Sequence, residues 1–490
     1  MDVAKYFLIP RSGWKSISAI FLFCAATVVA SPAQNFTSLA SFNRSNGQGP
    51  ISAPVQGIDG NFYGTTPRGG VNNKASDGTF FKVTSSGVLT ALSVCTQTPC
   101  ANGGNPTGLI LAADGNFYGT TQSYGANGVG TIFKITPGGA ITVLHSFAGS
   151  DGAIPFGEMV QGSDGSLYGT TSAGGSHTDG TVFKITTAGV LTTLYNFCSR
   201  TQCADGYDPT SGLVEGNDGN FYGTTIYGGV GTKGTVFRIT PTGILTTLYR
   251  FCAQQQSTCP DGSNPENALA LGRDGSFYGT TAAGGSAGVG TVFKITASGT
   301  LTTLHGFCSE SNCSDGTLPS GLIQATDGNF YGVTAGGGGS CGVSIGCGTI
   351  FQITPAGSLT TLYNFSGTDG YGPEGGLVQA TDGILYGTTT GGGTGGLNDL
   401  NGTIFSLSMG LGPFVKAIQN SGKIGQTGGI LGQGFTGTSG VAFNGTPANF
   451  TVVSDTYIKA TVPAGATSGF ITVNTPTGTL TSNVVFHVGP

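Results

Sequence analysis

The octapeptide "DGNFYGTT" (59–66) recurs verbatim at 114–121 and 218–225. Variants at 164–171 ("DGSLYGTT"), 274–281 ("DGSFYGTT"), 327–334 ("DGNFYGVT") and 382–389 ("DGILYGTT") bring the copies to seven. Successive Asp-Gly pairs stand 50 to 56 residues apart, a period that belongs to propellers and solenoids. Around the third verbatim copy the chain reads as four strand-like pieces: "GLVEG" (212–216), "NFYGTT" (220–225), "GTVFRIT" (234–240) and "ILTTLYRF" (244–251). β-branched and aromatic residues dominate these pieces, and helical periodicity is missing. Asp-Gly between two such runs signals a tight, two-residue hairpin turn, with Gly supplying positive φ and Phe-Tyr the packing between sheets.

A closed ring requires the strand types to balance. Third-strand pieces begin at Gly78, Gly130, Gly180, Gly234, Gly290, Gly348 and Gly402, but only six "LTTL"-type fourth strands come after them. The seventh match, "FTSLASF" (36–42), lies at the other end of the chain. The expected fold is therefore all-β: a seven-bladed β-propeller over 34–409, its last blade completed by the N-terminal strand. Closure removes the free sheet edges an open array would expose.

The seven units resemble the GloVer repeat of secreted bacterial proteins that carry varied C-terminal anchoring segments. That resemblance covers 36–408 and implies an extracellular repeat protein, without catalytic residues to carry over. Residues 411–490 contain no such unit. Pieces such as "ILGQGF", "VAFNGTPANF" and "YIKATVPAGATSGFITV" resemble an IPT/TIG immunoglobulin-like domain, a small β-sandwich.

Composition agrees with export. Lys5, Arg11 and Lys15 precede the apolar run 17–30, and small residues come next, so 1–33 reads as a secretory signal peptide. Phe23 stands before Cys24 where a lipoprotein would need a small residue. The mature chain is expected to lack a membrane span, to be secreted or held at the cell surface, and to be monomeric. The other ten cysteines form five near neighbours: Cys95 with Cys100, Cys198 with Cys203, Cys252 with Cys259, Cys308 with Cys313, and Cys341 with Cys347. Behind a signal peptide these read as loop-closing disulfides. Zinc would need four converging ligands, and the four histidines of the chain do not accompany the pairs. Charged residues make up 8% of the chain and the net charge is −5 without a basic run, which argues against nucleic acid.

Alternating strand direction puts the long Gly-rich loops, with all five cysteine pairs, on one face opposite the Asp-Gly turns. A residue present in every unit serves the fold, so ligand contacts are sought among residues that break the repeat. On the loop face these are Tyr124, His177, Tyr207, Tyr227 and Tyr371, with Phe156, Arg68, Arg200, Glu310 and Glu374 beside them. Exposed tyrosines suit sugar stacking or protein contact. The expected partner is thus a glycan or an extracellular protein, and the expected role is recognition or adhesion without catalysis. Two alternatives stand beside it, a polysaccharide hydrolase or lyase on the same face and a structural envelope component. Glu158, Glu266 and Glu374 supply carboxylates for such an enzyme, but spacing alone does not bring any two together, and motifs for a nucleophile or nucleotide are missing. No cofactor is expected. Calcium is the lesser reading for the turn Asp residues and for a second set at Asp151, Asp205, Asp261, Asp315 and Asp369, since turn chemistry accounts for both. The Lys or Arg at 82, 134, 184, 238 and 294 is expected to snorkel at a strand edge.

Each cysteine pair encloses only four to six residues, and loops this short stabilise a fold by about 1–2 kcal/mol in the chain-entropy account. Mild reduction should leave the far-UV β signal and cooperative unfolding largely intact. Non-reduced peptide mapping should find only the five local pairs; a Cys95–Cys203 cross-link, or global unfolding on reduction, contradicts this.

Overall fold

The computed structural model describes residues 34–70, 77–95, 100–254, 258–339, 341–342 and 345–489; the expected signal peptide, 1–33, lies outside them. Among the described residues, 35–408 forms seven four-stranded antiparallel sheets, numbered here 1 to 7 by their Asp-Gly turns. Sheet 4 is typical: Val214–Glu215, Phe221–Thr225, Thr235–Ile239 and Leu245–Arg250 pair in chain order. Sheet 7 takes three strands from 377–408, and its fourth is the N-terminal strand Asn35–Ser41, paired antiparallel with Thr403–Ser408. These blade-like units fit a propeller.

Every position of the octapeptide has a physical task. The Asp-Gly turn is a three-residue loop rather than the two-residue turn expected: the Gly57 N–H donates to Asn61 O (2.8 Å) and the Gly60 N–H to Gly57 O (3.0 Å), with Gly60 at φ +78°. That is a type I turn closed by a left-handed glycine, and it turns the Asp side chain back over its own strand. Oδ1 of Asp59 accepts the Asn61 N–H (3.2 Å), and Oδ2 accepts the hydroxyl of Tyr63 (2.8 Å). The same Tyr-to-Asp bond recurs in all seven sheets at 2.8–3.0 Å. Burial and the carboxylate beside it push Tyr63, Tyr168 and Tyr222 up to about 12.

The tyrosine ring then packs on the Phe or Leu of the next sheet. Tyr168 lies 4.0 Å from Phe221, Tyr222 4.0 Å from Phe277 and Tyr278 3.9 Å from Phe330. The inner Gly has no room for a side chain: a Cβ on Gly64, Gly223 or Gly387 would stand 2.4–2.7 Å from the Phe ring of its third strand. The first Thr reaches the next sheet, as Thr170 Oγ1 does to Ser211 O (2.9 Å). The second pairs with the Thr opening the third strand, 2.8–2.9 Å away in every sheet.

The basic strand residues do not simply snorkel. Lys82, Lys184 and Lys294 form ion pairs with the turn carboxylates of Asp59, Asp164 and Asp274 at 2.6–2.8 Å. Burial opposes those charges, but the bonds from lysine, tyrosine and the turn outweigh it and hold all three Asp groups below their ordinary value. Such half-exposed pairs contribute about 0–1 kcal/mol, beside a part-buried Tyr–Asp bond to the same carboxylate oxygen.

Seven buried clusters each join two consecutive sheets, and the seventh joins sheet 7 to sheet 1 through Phe62, Phe81, Ala380, Tyr386 and Ile404. That last junction repeats the others. Tyr386 stacks 3.9 Å from Phe62. The Thr381 N–H donates to Gln56 Oε1 (3.0 Å), as the Ala113, Ser163, Arg273 and Thr326 amides donate to Gln161, Glu215, Gln324 and Gln379 at other junctions. The Gly49 N–H donates to Asn401 O (2.9 Å), just as that of Ile154 donates to Val129 O (2.9 Å).

All five expected disulfides are formed: Cys95–Cys100, Cys198–Cys203, Cys252–Cys259, Cys308–Cys313 and Cys341–Cys347. All five depart from the expectation that the pairs serve loops alone, in two ways. Cys341–Cys347 shows one. The other four, in which the carbonyls of Cys100, Cys203, Cys259 and Cys313 each accept two glycine N–H groups, show the other. Cys347 is buried in the cluster that joins sheets 6 and 7, among Tyr331, Val333, Ile350 and Phe365, so its sulfur packs in the core while Cys341 lies at the edge of that cluster. Its carbonyl also accepts the Gly372 N–H (3.0 Å), a bond into the next unit. Cys313 ends a single 3₁₀ turn, Ser311–Cys313, with φ at +50°. Its carbonyl accepts both the Gly316 N–H (2.9 Å) and the Gly338 N–H (3.0 Å), which ties the connection between sheets 5 and 6 to the loop of sheet 6. The physical reason is common to both: a cysteine one residue from a strand-opening glycine, or at the end of a tight turn, cannot be pinned without also positioning the backbone beside it.

The C-terminal segment forms two further four-stranded sheets around a core of Val415, Ile430, Phe435, Phe443, Ile458, Ile471 and Phe486. It belongs to the same compact unit as the repeats and sits against the Asp-Gly turns. Thr456 Oγ1 donates to Ile58 O (2.8 Å), Gln419 Nε2 to Gly162 O (2.6 Å) and Gln433 Nε2 to Thr381 Oγ1 (3.0 Å), while Arg273 Nε reaches Asn483 O (2.9 Å). Leu431 and Tyr457, opposite one another across two strands, are buried though neither belongs to the sandwich core. Lys416, paired with Leu431, shares that face, and burial pulls its amine below the ordinary lysine value.

Gly223→Ala should cost about 1–3 kcal/mol by overpacking against Phe237 and Leu213. Gly165→Ala meets nothing within 4 Å and should cost only the left-handed backbone, about 1–2 kcal/mol. Denaturant titration of a third variant, Gly279→Ala, separates the two causes: its cost should track Gly223→Ala, and a neutral result contradicts the packing account.

Candidate functional site

A proline stands before the first strand in five sheets (Pro50, Pro155, Pro209, Pro265 and Pro373) and inside it in sheets 2 and 6 (Pro106 and Pro319), eight or nine residues before the turn Asp. The residue before each proline is left-handed, with φ between +52° and +62°. Gly, Asn and Asp take this conformation at little cost, but Ile154 and Leu318 do not; both are also partly exposed. Each proline lies over the glycine that opens the preceding sheet's third strand, Pro209 on Gly180 and Pro50 on Gly402 among them. This step sets the register of the residues just after it.

Those residues, from all seven sheets, line one cavity of about 200 Å³. They lie at the start of each first strand, the end opposite the Asp-Gly turns. Most are small: Ser52, Gly108, Gly157, Ser211, Gly321 and Gly375. Four break the repeat, Phe156, Glu158, Glu266 and Glu374. The glutamates that spacing alone left scattered are thus gathered here. The signal that would have found them is the proline register, since Glu266 and Glu374 both come directly after their prolines and Glu158 is three residues past Pro155.

The electrostatics are one-sided. The lining contains no Lys, Arg or His. Glu158 is wetted through the cavity but surrounded by protein deeply enough that burial pushes its carboxyl up to about 7. Burial raises Glu266 as well, with the charge of Asp208 adding to it, and burial together with Glu266 raises Glu374. The side chain of Glu158 crosses into sheet 2, where a Cβ on Gly108 would stand 2.3 Å from its Cγ. Ser320 Oγ bonds to Asn267 Oδ1 (3.1 Å) and to the Glu374 carbonyl, fixing the wall between sheets 5, 6 and 7.

Of the five loop-face residues singled out by sequence, the structure brings two together. The rings of Tyr207 and Tyr227 lie 5.3 Å apart, held by a backbone bridge between the same residues. Tyr371 covers Gly391 in sheet 7, where burial and the charge of Asp399 raise its hydroxyl. His177 is exposed beside Ser176 Oγ (3.2 Å), and Tyr124 sits at φ +61° in the loop of sheet 2. None of the five lines the cavity. Arg200 donates to Leu245 O (3.4 Å) in the next sheet, and Glu310 accepts from Ser314 Oγ (2.7 Å) within its own turn.

The second Asp set performs turn chemistry. Asp205 Oδ2 accepts the Tyr195 hydroxyl (2.7 Å) and the Ser199 N–H (3.0 Å), Asp261 accepts from Tyr249 (2.9 Å), and Asp151 and Asp315 meet His145 and His305 at 2.8 and 3.1 Å. Among the described residues, the groups of three potential metal ligands within 4.8 Å are Asp77 with Cys95 and Cys100, and Asp179 with Cys198 and Cys203. Both commit their sulfurs to a disulfide.

Five disulfides are consistent with an extracellular protein, and among the described residues no helix is long and apolar enough to cross a membrane. Curated proteins give no match to the chain. Solved structures resemble the chain at low identity. A protein provisionally assigned as a 6-phosphogluconolactonase from Bacteroides uniformis is 16% identical, with 67% of this chain and 89% of that one covered at a TM-score of 0.43. A luciferin-regenerating enzyme is 15% identical, over 62% and 92% of the two chains, at 0.38. The extracellular domain of a provisionally assigned hybrid two-component protein of B. thetaiotaomicron is 11% identical, over 93% of this chain and 57% of that one, at 0.46. The Gloeobacter/Verrucomicrobia repeat matches residues 27–217, 199–342 and 309–453, the last stretch running into the C-terminal segment. With most of its length matched, the chain belongs to the Gloeobacter/Verrucomicrobia repeat family.

Proposed function

We propose that the chain is a secreted, non-catalytic recognition protein that binds a glycan or an extracellular protein at the loop-face end of its shared cavity. In this reading 1–33 is a signal peptide, 34–409 is a closed seven-bladed propeller and 411–490 is an IPT/TIG-type sandwich seated on the Asp-Gly turns. Seven junctions of one geometry support closure, the seventh between the last sheet and the first. The sandwich touches the turns of sheets 1, 3, 5 and 7, which spread around the whole end of such a ring. Ligand then enters from the loop face, where Tyr207, Tyr227 and Tyr371 flank the approach and the disulfides pin the loops.

The gathering of Glu158, Glu266 and Glu374 in one cavity carries the proposal. These carboxylates make no contact that the sheets need, and holding them together is unfavourable. Residues kept against stability mark a site of use. A carboxyl near 7 beside two others also favours a second reading, a polysaccharide hydrolase or lyase with Glu158 as general acid.

A glycan array with the wild type and Glu158→Gln separates the readings. Binding without released product, weakened in the variant, is the expected result; product release moves the case to the enzyme, and binding indifferent to the variant places the site elsewhere. Stability gives a second check. The folded-state value of Glu158 is raised above its ordinary 4.5 to about 7, so stability is full below the unfolded value and falls as pH rises through 7. Glu158→Gln should therefore raise the melting temperature at pH 8 and leave it nearly unchanged at pH 4. An unchanged melting temperature at pH 8 would show that the carboxylate is not held at a cost.

A further inference from the structure

We infer that the cavity recognises its ligand through a primary ammonium group. The inference rests on the cavity being the ligand site and adds the chemistry of what enters it. Three carboxylates face the space and no cationic side chain lines it. Glu158 receives no hydrogen bond or ion pair from any described residue and is exposed where it lines the cavity. All three glutamates are exposed to the cavity, and like charges held around one space are costly unless a cation joins them. The neighbouring sheet leaves the space this side chain needs, because Gly108 has no Cβ to collide with it. Glu266 and Glu374 raise one another's cost, as does Asp208, so one positive charge among them relieves several unfavourable interactions at once.

The arrangement does not suit a bare metal ion. The glutamate oxygens are not within 4.8 Å of one another as a trio, whereas a calcium ion draws six to eight oxygens to about 2.3–2.6 Å. Spread carboxylates suit a cation carried on an extended organic body. Volume points the same way: about 200 Å³ is below the roughly 300–1,000 Å³ of drug-sized pockets, and it suits a single sugar ring or a short alkyl chain. Phe156, 40% exposed and two residues from Glu158, offers a ring face for the apolar side of such a group or for the cation itself.

Calorimetry on the full secreted chain at pH 8 and low salt tests this with four probes. They are a β-1,4-linked glucosamine tetramer, its N-acetylated counterpart, 1,5-diaminopentane and calcium chloride. At least one amine probe should bind at one site per chain, with the N-acetylated tetramer weaker by about tenfold or more, the equivalent of about 1.4 kcal/mol. The two amine probes show whether the amine is carried on a sugar or on an alkyl chain. Glu158→Gln and Glu374→Gln should each weaken amine binding by a similar factor. Equal binding of the acetylated and free tetramers overturns the ammonium while leaving glycan recognition standing. Heat from neither amine, tight calcium binding lost in Glu158→Gln, or amine binding unchanged in both variants also overturns it. The four-probe comparison on the wild type needs no variant to fold.

Discussion

The hydrogen bond from the octapeptide tyrosine to its turn aspartate governs how the rest of the molecule is assembled. It anchors a turn, a strand and a sheet junction with one pair of side chains. The turn must bend so that Asp59 points back along its strand, and the ring of Tyr63, once tethered, can lie only against the neighbouring sheet. The next Phe or Leu meets that ring, the inner glycine admits the Phe of the third strand, and the two threonines close what remains. The bond is part-buried and present in every sheet, whereas the lysine pairs, on the same carboxylate oxygen, occur in three. Occurrence marks which of the two is structural.

Repetition of this kind separates fold from function. Once junctions of like geometry join successive sheets, positions at the head of each first strand are free to differ, and there the chain places Phe156, Glu158, Glu266 and Glu374 among glycines and serines. The proline step keeps that freedom from disturbing register. Its left-handed residue is Gly, Asn or Asp in five sheets, yet Ile154 and Leu318 occupy it in two, partly exposed. At the opposite end the C-terminal sandwich meets the Asp-Gly turns through Thr456, Gln419 and Gln433.

The sheets and the pairing of 35–41 with 403–408 were legible from the sequence because both rest on local signals, strand period and strand tally. The disulfide pairs were legible for the same reason, although the burial of Cys347 between two sheets was not. The turn was misjudged by one residue, since Asp-Gly fits two hairpin geometries and only the tyrosine four positions on selects between them. Lys82 was placed on its strand correctly, but its partner Asp59 lies across a hairpin whose register had first to be known. The cavity was not legible in the sequence. Glu158, Glu266 and Glu374 are separated by 108 residues in each step, and they meet only through the stacking of successive sheets, which no local pattern encodes. The tyrosines favoured instead lie on the loops around it, and only Tyr207 and Tyr227 touch.

Closure of the repeats by the N-terminal strand is the claim on which the rest depends, and hydrogen exchange of the native chain tests it most directly. Thr403–Ser408 is paired on both sides, by 385–389 and by 35–41, so all its amides should be protected to the same degree as those of Thr235–Ile239, the equivalent strand of sheet 4. If the amides of 403–408 that face the N-terminal strand exchange rapidly while those facing 385–389 do not, the last sheet has an open edge and the account fails.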